Sequence, residues 1–307
     1  MLLACCCEKR HNICMKTTKL IKLCALSLSI FLLCSSAVTA QTTANPQLGQ
    51  TYTNQEILQQ LVKAKVVYLG ETHDSAEDHQ AQLKIIREMQ QQNRKIAIAM
   101  EMFQRPFQGA IDNYLAGKLT EEQLVEQTEY DRRWRFPWES YAPILRFAKE
   151  NQLPVLALNT PSEVTRKVAR QGLESLTAEE KKHIPPISEI RTDNAEYRQL
   201  LLEVFQQHQK AAQGNSTAFE RFLQAQVLWD ETMAEKIAEF VKANPDYQVV
   251  VLAGKGHIIY GYGIPSRVER RLGVGNVKVR SVLFNSTENL PLSADRPIAD
   301  FVWNHSE

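Results

Sequence analysis

Two short segments of the chain place acidic, basic and imidazole side chains directly after apolar, strand-like runs. The first is KVVYLGETHDS at residues 65–75, where Glu71 and His73 follow the apolar run. The second is QVVVLAGKGHIIYGYGIP, where Lys255 and His257 follow a similar run, and in both a glycine stands three positions before the histidine. Glu71 and His73 are two residues apart, so their side chains share a face in extended backbone. Side chains of these types can bind a metal ion or a ligand, or transfer protons.

Two further apolar runs also end in polar side chains. Glu101 follows IAIAM, and Asn159 ends LPVLALN. Taken singly, such residues are usually helix caps or loop residues, but the carboxyl ends of parallel strands meet at one edge of a sheet. We therefore expect Glu71, His73, Glu101 and His257 to converge in a pocket. Burial would raise the pKa of Glu101 unless a cation faces it, and Arg105 is the nearest candidate along the chain.

The helix after the first segment has a recognisable start. Asp74 or Ser75 can cap it, and Leu83, Ile86 and Met89 follow at helical spacing. His79 lies about one turn into this helix, where it can be a surface residue or a functional one.

The elements that must position these residues alternate along the chain. Five apolar runs, KVVYLG, KIAIAME, LPVLALN, YQVVVLAG and VKVRSVLFN, are separated by segments with helical periodicity. This pattern predicts an α/β fold with a mainly parallel sheet flanked by helices. Between the third and fourth strands, residues 161–245 show no strand signal, and we expect a helical cap inserted over the sheet edge. Residues 41–307 are thus predicted to form a single α/β domain.

Residues 1–40 have the features of a signal peptide. Three lysines precede the apolar stretch LCALSLSIFLLC, and AVTA ends in a small residue suited to cleavage after Ala40. The alternatives are an uncleaved membrane anchor or a lipid on Cys34, although Leu33 stands where a lipoprotein signal needs a small residue. Met15 can itself open the signal, so residues 1–14 can be an upstream extension. We expect an exported protein, periplasmic or extracellular, with membrane attachment as the alternative.

Composition excludes several classes of protein. All six cysteines lie within the first 34 residues, so the remainder has no disulfide and no cysteine zinc site. Residues 1–40 hold five Lys or Arg and one acidic residue, which leaves 31 basic and 34 acidic residues and a net charge of −3. Without a basic excess, nucleic acid is not an expected partner.

A second candidate ligand surface is rich in aromatic and basic residues. EYDRRWRFPWESYAP, residues 129–143, contains Tyr130, Tyr141, two tryptophans and three arginines. Such a stretch suits a flat aromatic or anionic ligand, or else forms a packed loop over the sheet. Tyr260 and Tyr262 add aromatic rings beside His257.

Together these segments resemble the ChaN family of haem-binding proteins and lipoproteins, which is grouped with Tiki proteases and erythromycin esterases. The resemblance covers most of residues 55–285 and is carried by VVYLGETHDS, IAIAMEMFQ, ESYAPILRFAKENQLPVLALN, AQVLWDETMAE and VVVLAGKGHIIYGYGIP, in that order. One departure is the poor lipoprotein signal.

The resemblance implies a haem at a homodimer interface and a role with haem-transport partners. It implies that a tyrosine of one subunit binds the iron, with Tyr262 or Tyr260 as the first candidates and Tyr141 and Tyr130 in plausible loops. It also implies that a histidine and a lysine of the other subunit meet the propionates, and His257 and Lys255 match by type and position. A phenolate favours ferric iron, and the two cationic side chains can neutralise propionates.

Two functions of different classes follow. The first is haem binding for uptake or storage of haem or iron. The second is hydrolysis, in which Glu71, His73, Glu101 and His257 hold a divalent metal ion with a position open for water, or act as acid and base without metal. No G-x-S-x-G sequence is present, which disfavours a serine hydrolase.

Overall fold

The computed structural model describes residues 42–44, 51–208, 216–284, 296–303 and 305. Residues 40–307 form one compact unit. The predicted signal peptide, residues 1–40, lies outside the described residues. Within the part of the chain that is described, no helix is both long enough and apolar enough to cross a membrane.

The centre of the molecule is a six-stranded sheet in which every neighbouring pair of strands is parallel. Its strand order is β5-β4-β6-β3-β7-β8. A short antiparallel pair, β1 and β2, precedes it. The strands are β1 (Thr42–Ala44), β2 (Thr51–Thr53), β3 (Val66–Glu71), β4 (Ile96–Gln104), β5 (Val155–Asn159), β6 (Gln248–Gly254), β7 (Val279–Phe284) and β8 (Phe301–Trp303).

Helices lie in each connection from β2 to β7. The α-helices are α1 (Asn54–Leu61), α2 (Ala76–Gln92), α3 (Gln108–Leu115), α4 (Glu121–Gln127), α5 (Tyr130–Arg133), α6 (Ala142–Glu150), α7 (Ser162–Gln171), α8 (Ala195–His208), α9 (Ser216–Ala243) and α10 (Ile264–Leu272). Several helices begin at a side chain that caps their first turn. Thr53 and Thr120 form capping boxes, and the Ser75 hydroxyl accepts from the backbone N–H of Asp78.

The two faces of the sheet carry separate hydrophobic cores. In β3, Val66 and Tyr68 belong to the core shared with α7, α9 and α10, whereas Val67 and Leu69 belong to the core shared with α1, α2 and α6. This alternation follows from the two-residue period of a strand. Burial on both faces explains why the strands have continuous apolar sequences, and it confirms the predicted α/β fold with a parallel sheet.

The long segment between β5 and β6 contains helices and no strand in its described part, as predicted. Its main element is α9, which packs against α7, α10 and β5. Because α9 contributes Leu223, Val227 and Ile237 to one of the two cores, the insertion covers a face of the sheet in addition to reaching its carboxyl edge. The sequence did not indicate β8, which has only three residues.

Candidate functional site

The carboxyl ends of the three central strands bring the four predicted groups together. β6 lies between β4 and β3, so Glu101 on β4 and Glu71 at the end of β3 stand on either side of Gly254. His73 follows β3, and His257 lies in the 3₁₀ turn that follows β6. The expected convergence of Glu71, His73, Glu101 and His257 is therefore present.

Glu71 is fully buried and surrounded by hydrogen-bond donors. Its Oε1 accepts from Nδ1 of His73 at 2.8 Å and from the Tyr141 hydroxyl at 2.5 Å, and its Oε2 accepts from Gln82 at 2.8 Å. His79 Nε2 lies 3.7 Å from Oε1, too far for a hydrogen bond. Burial alone would raise the pKa of Glu71, but the surrounding donors, His73 first among them, lower it to about 2. A buried carboxylate thus stays charged and fixes the orientation of His73.

His73 is the member of this set that reaches solvent, with 26% of its side chain exposed. The rings of Trp134 and Phe136 lie 4.9 and 5.0 Å from the imidazole, centroid to centroid. Burial opposes its charge, but the hydrogen bond to Glu71 and the negative charge of Glu101 raise the pKa of His73. A Cβ on Gly254 would lie 2.7 Å from Nε2 of His73, so the ring edge rests directly on the glycine backbone. Glycine permits this close approach.

The second histidine is held by a different carboxylate. His257 is buried, its Nδ1 donates to Asp230 at 2.7 Å, and its Nε2 lies 3.6 Å from Oε1 of Glu101. Glu101 is fixed by the backbone N–H of Gly254 at 2.8 Å, and Asp230 also accepts from the Tyr197 hydroxyl at 2.6 Å. Burial alone would lower the pKa of His257, but the charge of Glu101 and the bond to Asp230 raise it to about 9.

Asp230 is a site residue that sequence analysis did not find. It lies on α9, more than twenty residues before His257, and it is fully buried. Its only sequence signal is an acidic residue in the otherwise core-facing part of a long helix, in AQVLWDETMAE. That signal identifies a buried charge but not the residue that faces it.

Arg105 lies outside the site. The sequence made Arg105 the candidate cation for Glu101, but Arg105 does not face that carboxylate. It donates to Glu235 at 2.7 Å and to the carbonyl of Thr232. That prediction was wrong because β4 continues to Gln104, which places Arg105 beyond the site and against α9.

The remaining polar residues serve the backbone around the site. Asn159 donates to the carbonyl of Glu101 at 3.0 Å and so links the ends of β5 and β4. Ser75, not Asp74, caps α2. His79 is buried, and its ring packs 4.6 Å from that of Tyr141, so it belongs to the surroundings of Glu71 and not to the surface.

The aromatic stretch at 129–143 has two parts. Tyr130 and Trp138 pack with Phe103, as a packed loop would. Trp134 and Phe136 instead flank His73 and are half-buried. Some aromatic residues of the stretch thus pack in the core, and others lie beside the candidate site.

The residues that the resemblance assigned to haem fit that ligand only in part. Lys255 is half-buried at the same edge as His73. Tyr141, Tyr260 and Tyr262 are 0, 2 and 5% exposed, and the Tyr141 hydroxyl is bonded to Glu71. His257 is buried between Asp230 and Glu101. In this conformation none of the three tyrosines presents its hydroxyl to a porphyrin.

A metal ion is the alternative ligand. Within the described ranges, no group of three or more His, Cys, Asp or Glu side chains is arranged to hold one. What the site does provide is two imidazole–carboxylate pairs, Glu71–His73 and Asp230–His257, with Glu101 near both histidines. Groups of this kind can donate and accept protons.

Comparison with known proteins gives two kinds of match. Protein RETICULATA-RELATED 5, chloroplastic, of Arabidopsis thaliana is 27% identical over 261 residues, which cover 80% of this chain and 35% of that protein. The chain thus spans about a third of the length of this curated relative. Among solved structures, "Cofacial heme binding to ChaN of Campylobacter jejuni" matches with a TM-score of 0.65 and 18% identity over 86% of this chain and 96% of that one. This likeness shows the fold.

More distant folds also match. An erythromycin esterase mutant in its open conformation has a TM-score of 0.46 and 16% identity, covering 86% of this chain and 82% of that one. The family model described as "Haem-binding uptake, Tiki superfamily, ChaN" matches residues 57–268, which include every strand from β3 to β6 and both histidine segments. The chain therefore belongs to the ChaN family of the Tiki superfamily, a family of haem-binding and haem-uptake proteins.

Proposed function

We propose that this protein binds haem at the carboxyl edge of its sheet and serves in the uptake or storage of haem or iron. Membership of a haem-binding family supports the ligand. The observation that carries the location is the half-buried aromatic pair, Trp134 and Phe136, beside the partly exposed His73. Flat aromatic surfaces of this kind suit a planar, largely apolar ligand. Lys255 at the same edge supplies a cation for a propionate.

The iron ligand is proposed to be a tyrosine, Tyr262 or Tyr260 before Tyr141. Their burial means that binding requires the side chains over them to move. One such group is Arg296, whose guanidinium carbon lies 5.7 Å from the centre of the Tyr262 ring. His257 is the proposed second propionate partner, and its burial requires the same kind of movement.

Titration with haemin tests the proposal. We expect a shifted Soret band that saturates at a fixed ratio, with a ferric tyrosinate charge-transfer band that Tyr262→Phe or Tyr260→Phe removes. Trp134→Ala should weaken binding about tenfold or more, because it removes a large aromatic contact. Lys255→Ala should weaken binding about two- to fivefold, since an ion pair that water can reach contributes little. Lys278→Ala, at an exposed lysine, is the control. A Soret band that does not shift with added haemin contradicts the proposal.

We propose further that haem binding is accompanied by homodimerisation and that haem-transport partners exchange the ligand. The support is the resemblance to proteins that hold haem between two subunits. Light scattering of the eluted protein, with and without one equivalent of haemin, should show the mass doubling only with haemin. An unchanged mass at saturating haemin argues against the dimer while leaving haem binding itself intact.

Hydrolysis is the second candidate, because the structure contains two oriented imidazole–carboxylate pairs around Gly254. With raised pKa values, His73 and His257 are suited to donate protons, and Glu101 between them is the candidate base. Ester and peptide substrates should be tested with Glu101→Gln and His73→Gln, with and without added divalent metal. Glu150→Gln on the exposed end of α6 is the control. If no substrate in the panel is hydrolysed faster by the wild type than by Glu101→Gln, this candidate fails.

A further inference from the structure

A cavity lies on the face of the sheet that α10 covers. It is bounded by α10, by the first half of β7 and by residues 296–300, and its volume is about 260 Å³. At about 30 Å³ per water molecule, it has room for roughly nine waters or one small metabolite. The residues of its lining that matter here are Tyr68, Tyr260, Glu269, Arg280, Arg296 and Asp300.

The floor of this cavity contains a buried hydroxyl without a partner. Tyr68, in the middle of β3, is fully buried, and its hydroxyl has no hydrogen-bond partner among the described residues. Burying a hydroxyl unpaired costs about 1–3 kcal/mol, so such groups normally face water or a ligand. A phenylalanine would fill the same core position without this cost. Because the hydroxyl has less than 1 Å² of accessible surface, an occupant of the cavity would reach it only after the neighbouring side chains shift. An unpaired hydroxyl bordering the cavity nevertheless offers a hydrogen bond to such an occupant.

Two of the charged side chains in the lining already have a hydrogen-bond partner among the described residues, and two do not. Asp300 accepts from the backbone N–H and hydroxyl of Ser281 at 2.8 and 2.9 Å, and Arg280 lies 3.3 Å from it. Glu269 and Arg296 have no hydrogen bond or ion pair within the described part of the chain. Burial, and then the charge of Asp300, raise the pKa of Glu269, and Arg296 opposes this rise. One carboxyl group, one guanidinium and one phenol thus remain available.

The wall of the cavity is held in a fixed and costly conformation. Tyr260 has a φ of 56°, in the left-handed region that non-glycine residues seldom adopt. Its backbone N–H donates to the carbonyl of Ile298 at 2.9 Å, which attaches residues 296–300 to this wall. Backbone strain of this kind is concentrated at ligand-binding and active sites.

We propose that this cavity binds a small zwitterion of amino-acid type, with its ammonium group at Glu269, its carboxylate at Arg296 and a hydrogen bond to the Tyr68 hydroxyl. The two cations and two carboxylates of the lining cancel, which disfavours a ligand with net charge of either sign. The volume lies just below the range of about 300–1,000 Å³ typical of sites for larger ligands, so it excludes haem. The cavity shares Tyr260 and Arg296 with the surroundings of the proposed iron ligands. The zwitterion proposal rests on Tyr68 and Glu269, which have no part in the proposed haem site.

A panel of free amino acids and glycine betaine tests the proposal on the whole exported chain. Thermal unfolding with each compound is followed by calorimetric titration of every compound that raises the Tm. Each hit is compared with its amine and its carboxylic acid analogue, which keep one charge only. We expect at least one zwitterion to bind, and both analogues to bind about tenfold more weakly or worse, because each loses a charged hydrogen bond.

Variants connect the binding to the cavity. Tyr68→Phe removes only the hydroxyl and Glu269→Gln only the charge, and each should weaken binding about tenfold or more. Glu150→Gln, at an exposed glutamate on α6, should bind like the wild type. Without ligand, Tyr68→Phe should be as stable as the wild type or more stable, since the unpaired hydroxyl is gone. Absence of binding throughout the panel, equal binding of a single-charge analogue, or wild-type binding by Glu269→Gln overturns the proposal.

Discussion

At the scale of single residues, the site is built by pairing each histidine with a buried carboxylate. His73 is oriented by Glu71 and His257 by Asp230, at 2.8 and 2.7 Å. In both pairs the pKa of the imidazole is raised where burial alone would lower it, because Glu101 and the bonded carboxylate favour the protonated form. Removing one partner would leave a buried charge, which is more damaging than losing a surface pair.

His257 should make the stability of the protein depend on pH. Its folded-state pKa of about 9 lies above the ordinary value of 6.5, so folding favours the protonated form. The stabilisation is complete below pH 6.5 and is lost as pH rises through 9, with an upper limit on the order of 3 kcal/mol. His73 contributes in the same direction. Denaturant unfolding at pH 6.5 and pH 9 should show a large decrease for the wild type and a smaller one for His257→Gln.

His183→Gln is the matched control, because His183 lies in the helical insertion away from the site. It should keep the wild-type dependence on pH. If His257→Gln and the wild type lose the same stability between the two pH values, the assigned environment of His257 is wrong.

Three glycines near the site should respond differently to a methyl group. A Cβ at Gly254 would lie 2.7 Å from the movable ring of His73, one at Gly263 would lie 2.2 Å from the backbone oxygen of His257, and one at Gly256 would meet nothing within 4 Å. We expect Gly263→Ala to cost about 3 kcal/mol or more and Gly256→Ala to be close to neutral. Gly254→Ala should cost less than about 1 kcal/mol but lower the pKa of His73 measured by NMR.

The test is whether the three variants lose stability in the predicted order, with Gly263→Ala losing most and Gly256→Ala least. A Gly254→Ala protein with an unchanged His73 titration would show that the imidazole does not rest on this glycine. A stable Gly263→Ala protein would contradict the backbone contact.

At the scale of elements, the site combines side chains from two strands, from the turns that follow β3 and β6, and from α9. The strands could be predicted because their apolar runs reflect burial on both faces, and the parallel order places Glu71, Glu101 and His257 at one edge. The pairing of His257 with Asp230 could not be predicted, because it depends on how α9 packs against the sheet. The burial of Tyr260 and Tyr262 is likewise a result of tertiary packing, since both lie in a glycine-rich turn that resembles an open loop in sequence.

The cap of α2 links helix stability to the site. The Ser75 hydroxyl accepts from the backbone of Asp78, whose carboxylate accepts from the backbone N–H of Thr72, directly before His73. Ser75→Ala should cost about 1 kcal/mol and also shift the His73 titration. Thr120→Ala, which removes a similar cap from α4, should cost a similar amount and leave His73 unchanged. If His73 has the same pKa in both variants, the cap of α2 does not influence the site.

At the scale of the whole molecule, the compact unit carries the family match, and the segment before it is predicted to be a signal peptide. The family match at residues 57–268 lies within the compact unit formed by residues 40–307. The net charge of −3 after residue 40 gives the unit no basic excess with which to bind a polyanion. We propose that the preceding segment exports it.

Intact-mass measurement of the protein recovered from outside the cytoplasm should give a chain that begins at Gln41. The reason is that signal peptidase reads small side chains at the first and third positions before the cut, here Ala40 and Val38. Ala40→Leu should therefore block cleavage and retain the precursor, whereas Thr39→Leu, at the position between them, should be processed normally. A gene that starts at Met15 should export the same mature protein, because the basic and apolar regions both follow that residue. A mature mass that includes residues 16–40, or one that carries a lipid on Cys34, would show an anchored protein instead and would place the proposed haem site at a membrane surface.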